Sequence, residues 1–200
     1  AGEPLNPEAI RWAEKHLNCP LCDQYGQTEL GMAACNHHGL QHPVQPGSMG
    51  LSMPGFRMTA LNEKFKEVGT GQSGHFAVDL AASPLHWFQG YWRQDIDPRD
   101  HRSYYFTGDM VKVGDHGNFI FIGRDDDIIL SAGYRIGPFD VESTLIEHPA
   151  VAESAVIGKP DPERGQIVVA FVVLTSHFSS SPELAADLQQ WVRNALSAHA

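Results

Sequence analysis

Val111-Lys-Val-Gly-Asp-His-Gly-Asn-Phe-Ile-Phe121 alternates apolar and polar residues, breaks at Gly114-Asp-His-Gly117, and alternates again through Phe119 and Phe121. A period of two on both sides of a glycine-rich turn is the pattern of an antiparallel hairpin. Upstream, the stretch from Met49 to Phe88 is rich in glycine and proline and holds short alternations such as Phe56-Arg-Met58 and His75-Phe-Ala-Val-Asp79. These predict the short strands of a barrel or distorted sheet. Downstream, Ala150–Gly158 and Gln166–Leu174 are predicted strands; the continuous apolar run of the second is the pattern of a strand buried on both faces. Phe139–Glu147 predicts a helix that stops at His148-Pro149. Two more helices are expected. One runs from Pro7 to Leu17, with Asn6 as N-cap and Ile10, Ala13 and Leu17 on one face. The other runs from Pro182 to Ala198, capped by Ser181, with Leu184, Leu188, Trp191, Val192 and Leu196 on one face. Barrel-like composition gives way to strand–helix alternation just after Arg124, so the expected class is mixed α/β (α+β).

Bulk properties exclude several functions. The 200 residues are 42% hydrophobic and 19% charged, which suits a soluble domain or a domain with part of another. A formal net charge of -10 argues against a nucleic-acid partner, since phosphate backbones recruit basic faces. No apolar run approaches the roughly 20 residues of a membrane helix. Ala1-Gly-Glu-Pro-Leu5 lacks a charged-then-apolar signal pattern. Three cysteines, an odd number, do not suggest a disulfide framework. A cytoplasmic location is therefore expected. The first residue is not methionine and the last helix has no closing strand, so the chain is expected to be a piece of a longer one.

Three elements share a chemical logic. Gln24-Tyr-Gly-Gln-Thr-Glu29 puts an aromatic ring, a glycine, a hydroxyl and a carboxylate into what reads as one tight turn. Such a turn could stack a base, admit a phosphate to the backbone and offer a carboxylate to magnesium. Tyr104-Tyr-Phe-Thr-Gly-Asp109 places an aspartate after a glycine at what reads as the start of a hairpin, where it could hold two sugar hydroxyls. Gly123-Arg-Asp-Asp-Asp127 and Ser131-Ala-Gly-Tyr-Arg-Ile-Gly137 bring two arginines near a flexible segment, as an anionic ligand requires. Each alone is equally well a capped turn or a solvated face.

In this order the motifs resemble the adenylate-forming superfamily of acyl-CoA synthetases, luciferases and peptide-synthetase adenylation domains. The chain is most similar to the medium-chain acyl-CoA synthetase branch, from Gly2 to about Leu174. The resemblance implies that residues 1–125 are the end of a large domain with a distorted β-barrel subdomain, and 126–200 most of a small, mobile α+β domain. It implies an AMP-forming ligase that uses ATP, magnesium and coenzyme A on a carboxylic acid, with a medium-chain acyl group expected. Gly2, Glu3 and Pro4 would wall the adenine pocket. Tyr25 would stack on adenine beside Gly26, Thr28 would contact the α-phosphate, and Glu29 would bind magnesium. Asp109 and Arg124 would take the ribose, and Asp126 would be the hinge. Gly133 and Tyr134 would line the pantetheine path, Arg135 would face the phosphates or the acyl carboxylate, and Arg164 would contact the coenzyme A nucleotide. The family's lysine-ended phosphate loop and its late catalytic lysine have no counterpart in these 200 residues, so the chain alone is expected to be inactive. The alternatives are a non-catalytic nucleotide-binding module and an adenylation domain that loads a carrier protein.

Cys19-Pro-Leu-Cys22, Cys35 and His37-His38 invite a zinc reading. In the resembling family this stretch is extended, and residues three apart then face opposite sides, so buried or half-buried thiols are expected instead. Trp87, Phe88, Tyr91 and Trp92 are expected to pack beside the barrel.

Overall fold

The computed structural model describes residues 5, 7–37, 42–92 and 103–196. In chain order the elements are α1 (Pro7–Leu17), β1 (Gln24–Gln27), β2 (Gly31–Cys35), β3 (Ser48–Ser52), β4 (Met58–Leu61), β5 (Ser73–Asp79), β6 (Tyr104–Val113) and β7 (Phe119–Arg124). Then follow β8 (Ile129–Ser131), β9 (Tyr134–Ile136), α2 (Pro138–Ile146), β10 (Val151–Asp161), β11 (Gly165–Leu174) and α3 (Pro182–Ala195). The chain divides into two units, Ala1–Phe121 and Ile122–Ala200.

The hairpin read from alternation is β6–β7. Its turn closes through the Gly114 N–H to the Asn118 carbonyl at 2.7 Å and the Gly117 N–H to the Gly114 carbonyl at 3.1 Å. Gly117 takes φ +74°, a conformation that side-chain-bearing residues reach at a cost. The hairpin sits inside a seven-stranded sheet of order β1-β2-β3-β7-β6-β5-β4; of the two forms expected from Met49–Phe88 this is the distorted sheet, with register shifts in three of its pairings. Its apolar side gathers Tyr25, Ala34, Met49, Met58, Phe76, Val78, Tyr105, Val111 and Phe119 into one core. Phe76 is fully buried, with Tyr25 edge-on at 5.0 Å and Phe119 at 4.7 Å between ring centroids. Phe76→Ala should therefore cost about 3–5 kcal/mol, read by denaturant unfolding, because the sheet on both sides cannot close the void.

The second unit is a four-stranded sheet, order β10-β11-β8-β9, with α2 and α3. Ser181 caps α3, its side chain accepting the Leu184 N–H at 3.2 Å. α3 ends at Ala195 rather than the expected Ala198, which lies outside the described residues. Leu188 and Val192 are buried, with Leu184 partly so, against Val141 and Leu145 of α2. Trp191 stays 38% exposed while its indole N–H donates to the Thr144 carbonyl at 2.9 Å. β11 corrects the expectation of burial on both faces. Val168 and Val172 pack under the helices, but Phe171 is 60% and Val173 55% exposed. The apolar run is continuous, yet helices cover only one face of this small sheet.

In α1, Ile10 and Ala13 are buried, whereas Leu17, at the end of the helix, is 61% exposed. The expected N-cap, Asn6, lies outside the described residues. The aromatic cluster divides: Phe88 packs on the core, but Trp87 is 76% and Trp92 89% exposed. Among the described residues no helix is long and apolar enough to cross a membrane.

Candidate active site

Gln24–Glu29 is part strand and part turn, not one tight turn. β1 ends at Gln27, and Thr28, Glu29 and Leu30 form the bend, closed by the Leu30 N–H to the Gln27 carbonyl at 3.1 Å. The register shifts between Tyr25 and Gly26, with Ala33 of β2 as the extra residue, and the Tyr25 ring lies in the core. At Gly26 a Cβ would lie 2.3 Å from the Gly31 carbonyl oxygen, so only glycine lets the two arms approach.

Asp109 lies within β6, not at the start of a hairpin. Pairing runs from Ala77–Phe106 to His75–Met110, so Phe76 alone faces Thr107, Gly108 and Asp109. This is a bulge, and Gly108 supplies its positive φ of +79°. Thr107 pins it, its hydroxyl donating to the Phe76 carbonyl at 2.9 Å and accepting the Asp109 N–H at 3.2 Å. Two extra residues leave the period of two intact, so Asp109 stays on the same side as Tyr105 and Val111.

The two motifs meet side chain to side chain. The Tyr25 hydroxyl donates to Asp109 Oδ2. Gln27 Nε2 donates to the same oxygen at 3.0 Å and to the Thr107 carbonyl at 2.8 Å. Tyr25 and Asp109 are 8% and 4% exposed. Burial, and then the negative charge of Asp109, push the Tyr25 hydroxyl well above its ordinary value, so it remains a donor. A hydrogen bond to a charged group is worth about 1.5–3 kcal/mol, which offsets part of the cost of burying the carboxylate.

Thr28 is exposed and Glu29 half-buried on the same bend. Glu29 Oε1 accepts a hydrogen bond of 2.5 Å from the Tyr91 hydroxyl. Tyr91 also hydrogen-bonds with Tyr105, whose hydroxyl is raised by burial first and then by the Glu29 carboxylate.

The second unit gathers a different set. The β8–β9 hairpin pairs Leu130 with Arg135 and Ser131 with Tyr134, with Gly133 in its turn at φ +85°. The Asp161–Arg164 turn lies against it, the Ala132 N–H donating to the Arg164 carbonyl at 2.8 Å. Asp161 Oδ1 holds that turn, accepting the N–H groups of Glu163 at 3.0 Å and Arg164 at 2.8 Å. Gly133, Tyr134 and Arg135 of the β8–β9 hairpin and Arg164 of the adjoining turn are thus exposed. Arg124 Nε lies 3.6 Å from Asp126 Oδ1, and the Asp127 N–H donates to the Arg124 carbonyl at 3.1 Å, so Asp126 is the third residue of a turn. Gly2, Glu3 and Pro4 lie outside the described residues.

Two family models match. That of the AMP-binding enzyme covers residues 1–92, and that of the AMP-binding enzyme C-terminal domain covers residues 140–200. The chain belongs to the AMP-binding enzymes. The mitochondrial acyl-coenzyme A synthetase ACSM4 of Rattus norvegicus is 42% identical over 96% of this chain and 34% of its own length. The 4-hydroxybutyrate–CoA ligase 1 of Metallosphaera sedula is also 42% identical, over 98% of this chain and 35% of its own. A solved acyl-CoA synthetase of Brucella canis is 56% identical with a TM-score of 0.62, over 100% of this chain and 36% of that one. The AMP-binding enzyme chain thus spans about a third of the length of the curated relatives it matches.

In this AMP-binding enzyme the sequence reading missed three contributors. In the sequence Gln27 and Tyr105 lie inside the Tyr25 and Asp109 motifs without a role of their own, and Tyr91 reads only as packing. Their signal is a polar tip on residues flanking a carboxylate motif, which becomes informative only once pairing is known. Glu29 fits magnesium, which is held by one or two carboxylates together with substrate phosphates and water. Among the described residues no group of three or more His, Cys, Asp or Glu side chains could hold a metal. Cys19 is exposed, Cys22 and Cys35 half-buried, and burial raises the Cys35 thiol; His38 lies outside the described residues.

Proposed function

We propose that the chain is part of an AMP-forming acid–CoA ligase. The observation that carries this is the meeting of Tyr25, Gln27 and Asp109, from two motifs far apart in sequence, beside the bend that holds Thr28 and Glu29. An ionised carboxylate has about four acceptor sites, and the bonds from Tyr25 and Gln27 orient Asp109 for the two ribose hydroxyls. In this reading Gly2, Glu3 and Pro4 wall the adenine, Tyr25 stacks on it beside Gly26, and Arg124 contacts the ribose. Thr28 meets the α-phosphate, and Arg135 faces the phosphates or the acyl carboxylate. Magnesium, when held by Glu29, would neutralise phosphate charge.

A carboxylate oxygen attacks the α-phosphorus of ATP, the bond to the β-phosphate bridge breaks, and pyrophosphate leaves. The coenzyme A thiol then attacks the acyl carbon, the bond to AMP breaks, and the thiol proton is released. Positioning and fixed charge carry most of such catalysis. Gly133 and Tyr134 of the β8–β9 hairpin and Arg164 of the adjoining turn, all exposed, suit the pantetheine and nucleotide of coenzyme A. Residues 126–200 act as the small domain, swinging at Asp126 between the half-reactions. The reading keeps the cytoplasm as its compartment, a reducing one in which the cysteines stay thiols.

A panel of carboxylic acids tested by ATP–pyrophosphate exchange on the full-length protein checks this. Acid-dependent exchange strongest with medium-chain acids, followed by coenzyme A-dependent release of AMP, is the expected result. ATP binding without exchange for any acid would make it a binding module. Exchange followed by transfer to a carrier protein but not to coenzyme A would make it an adenylation domain.

A further inference from the structure

Tyr91 has no part in the reaction as described, yet its hydroxyl stands 2.5 Å from Glu29 Oε1, across 62 positions of sequence. Tyr91 is itself 50% exposed, but its ring is anchored. It meets Phe88 edge-on at 5.1 Å, and Phe88 meets Tyr105 edge-on at 5.7 Å. Tyr105 is buried at 6%, and Phe88 packs on the large core. The segment carrying them is tied back by the Leu85 N–H to the Gly55 carbonyl at 3.2 Å. A phenol with only two side-chain torsions is thus held by aromatic contacts, and it grips a flexible carboxylate on a bend.

We propose that Tyr91 is a positioning residue that presets the Glu29 carboxylate for a divalent cation. This rests on the reading of Glu29 as the cation-binding group. Ordering a glutamate side chain costs up to about 1.5–2 kcal/mol in rotamer freedom. A hydrogen bond from an anchored donor meets that cost at folding, before the cation arrives. A short O–H···O⁻ bond is charge-assisted and strong for its kind. It engages Oε1, which is compatible with a cation at Oε2. The arrangement also ties the bend of one motif to a distant segment, so cation binding and the placement of residues 84–92 are coupled.

Manganese binding to the ATP complex of the full-length protein, followed by electron paramagnetic resonance, tests the idea without relying on turnover. Tyr91→Phe should weaken manganese binding about five- to tenfold, and Glu29→Gln more. In the Glu29→Gln background, adding Tyr91→Phe should change binding by less than about twofold, because the group it positions is gone. In magnesium-dependent pyrophosphate exchange, Tyr91→Phe should raise the magnesium KM more than it lowers kcat. If Glu29→Gln loses the cation and Tyr91→Phe does not, the positioning role is overturned while Glu29 keeps its own. If neither variant loses it, the cation role of Glu29 falls and the positioning role with it. An equal loss from Tyr91→Phe in both backgrounds would mean that Tyr91 only supports the fold, which also overturns the proposal.

Discussion

Asp126→Pro in the full-length protein should leave pyrophosphate exchange near the parent rate while thioester formation falls about 100-fold or more, roughly 3 kcal/mol on the barrier. Asp126 is the third residue of the turn that the Asp127 N–H closes on the Arg124 carbonyl, just beyond the division of the two units at Phe121 and Ile122. Proline fixes its own φ near −65° and drives the preceding residue, here Asp125, out of the helical region. At this position it is disfavoured in the commonest turn type. The proposed hinge thereby loses one of its conformations. Adenylation precedes the swing, so the loss should fall on the second half-reaction. General destabilisation would lower both rates together, and equal loss in both would place the hinge elsewhere. Unchanged rates in both would show that the cycle needs no motion there.

Asp109→Ala should raise the ATP KM about 100-fold or more, since the two hydrogen bonds to a charged acceptor are worth about 1.5–3 kcal/mol each. It should also destabilise the protein by about 1–3 kcal/mol, because the buried Tyr25 hydroxyl loses its acceptor and water cannot replace it. Tyr25→Phe separates the two effects. It removes the donor and keeps the carboxylate, so stability should fall with ATP binding changed only a few-fold. Nucleotide titration and thermal unfolding of both variants measure this. If Asp109→Ala binds ATP like the parent, the ribose assignment is wrong.

The hairpin around Gly114–Gly117, the helix before His148-Pro149 and the Ser181 cap were legible because each depends on neighbours in the chain. Period-two alternation, a glycine-rich turn, proline and a side-chain cap act within a few residues, whatever the rest of the protein does. Tyr25 and Asp109 were legible as separate motifs and, through the resemblance, as parts of one site. Their bond, the grip of Gln27 on both Asp109 and Thr107, and the reach of Tyr91 to Glu29 were not. Hydrogen-bond partners more than sixty residues apart are chosen by strand register, and here register shifts at Tyr25–Gly26 and opposite Phe76. Which residues of distant strands end up opposite one another is a property of the assembled sheet, and composition does not record it. The same reason explains β11: an apolar run specifies that a strand can be buried, but only the helices that arrive decide that Val168 and Val172 are covered while Phe171 and Val173 face outward.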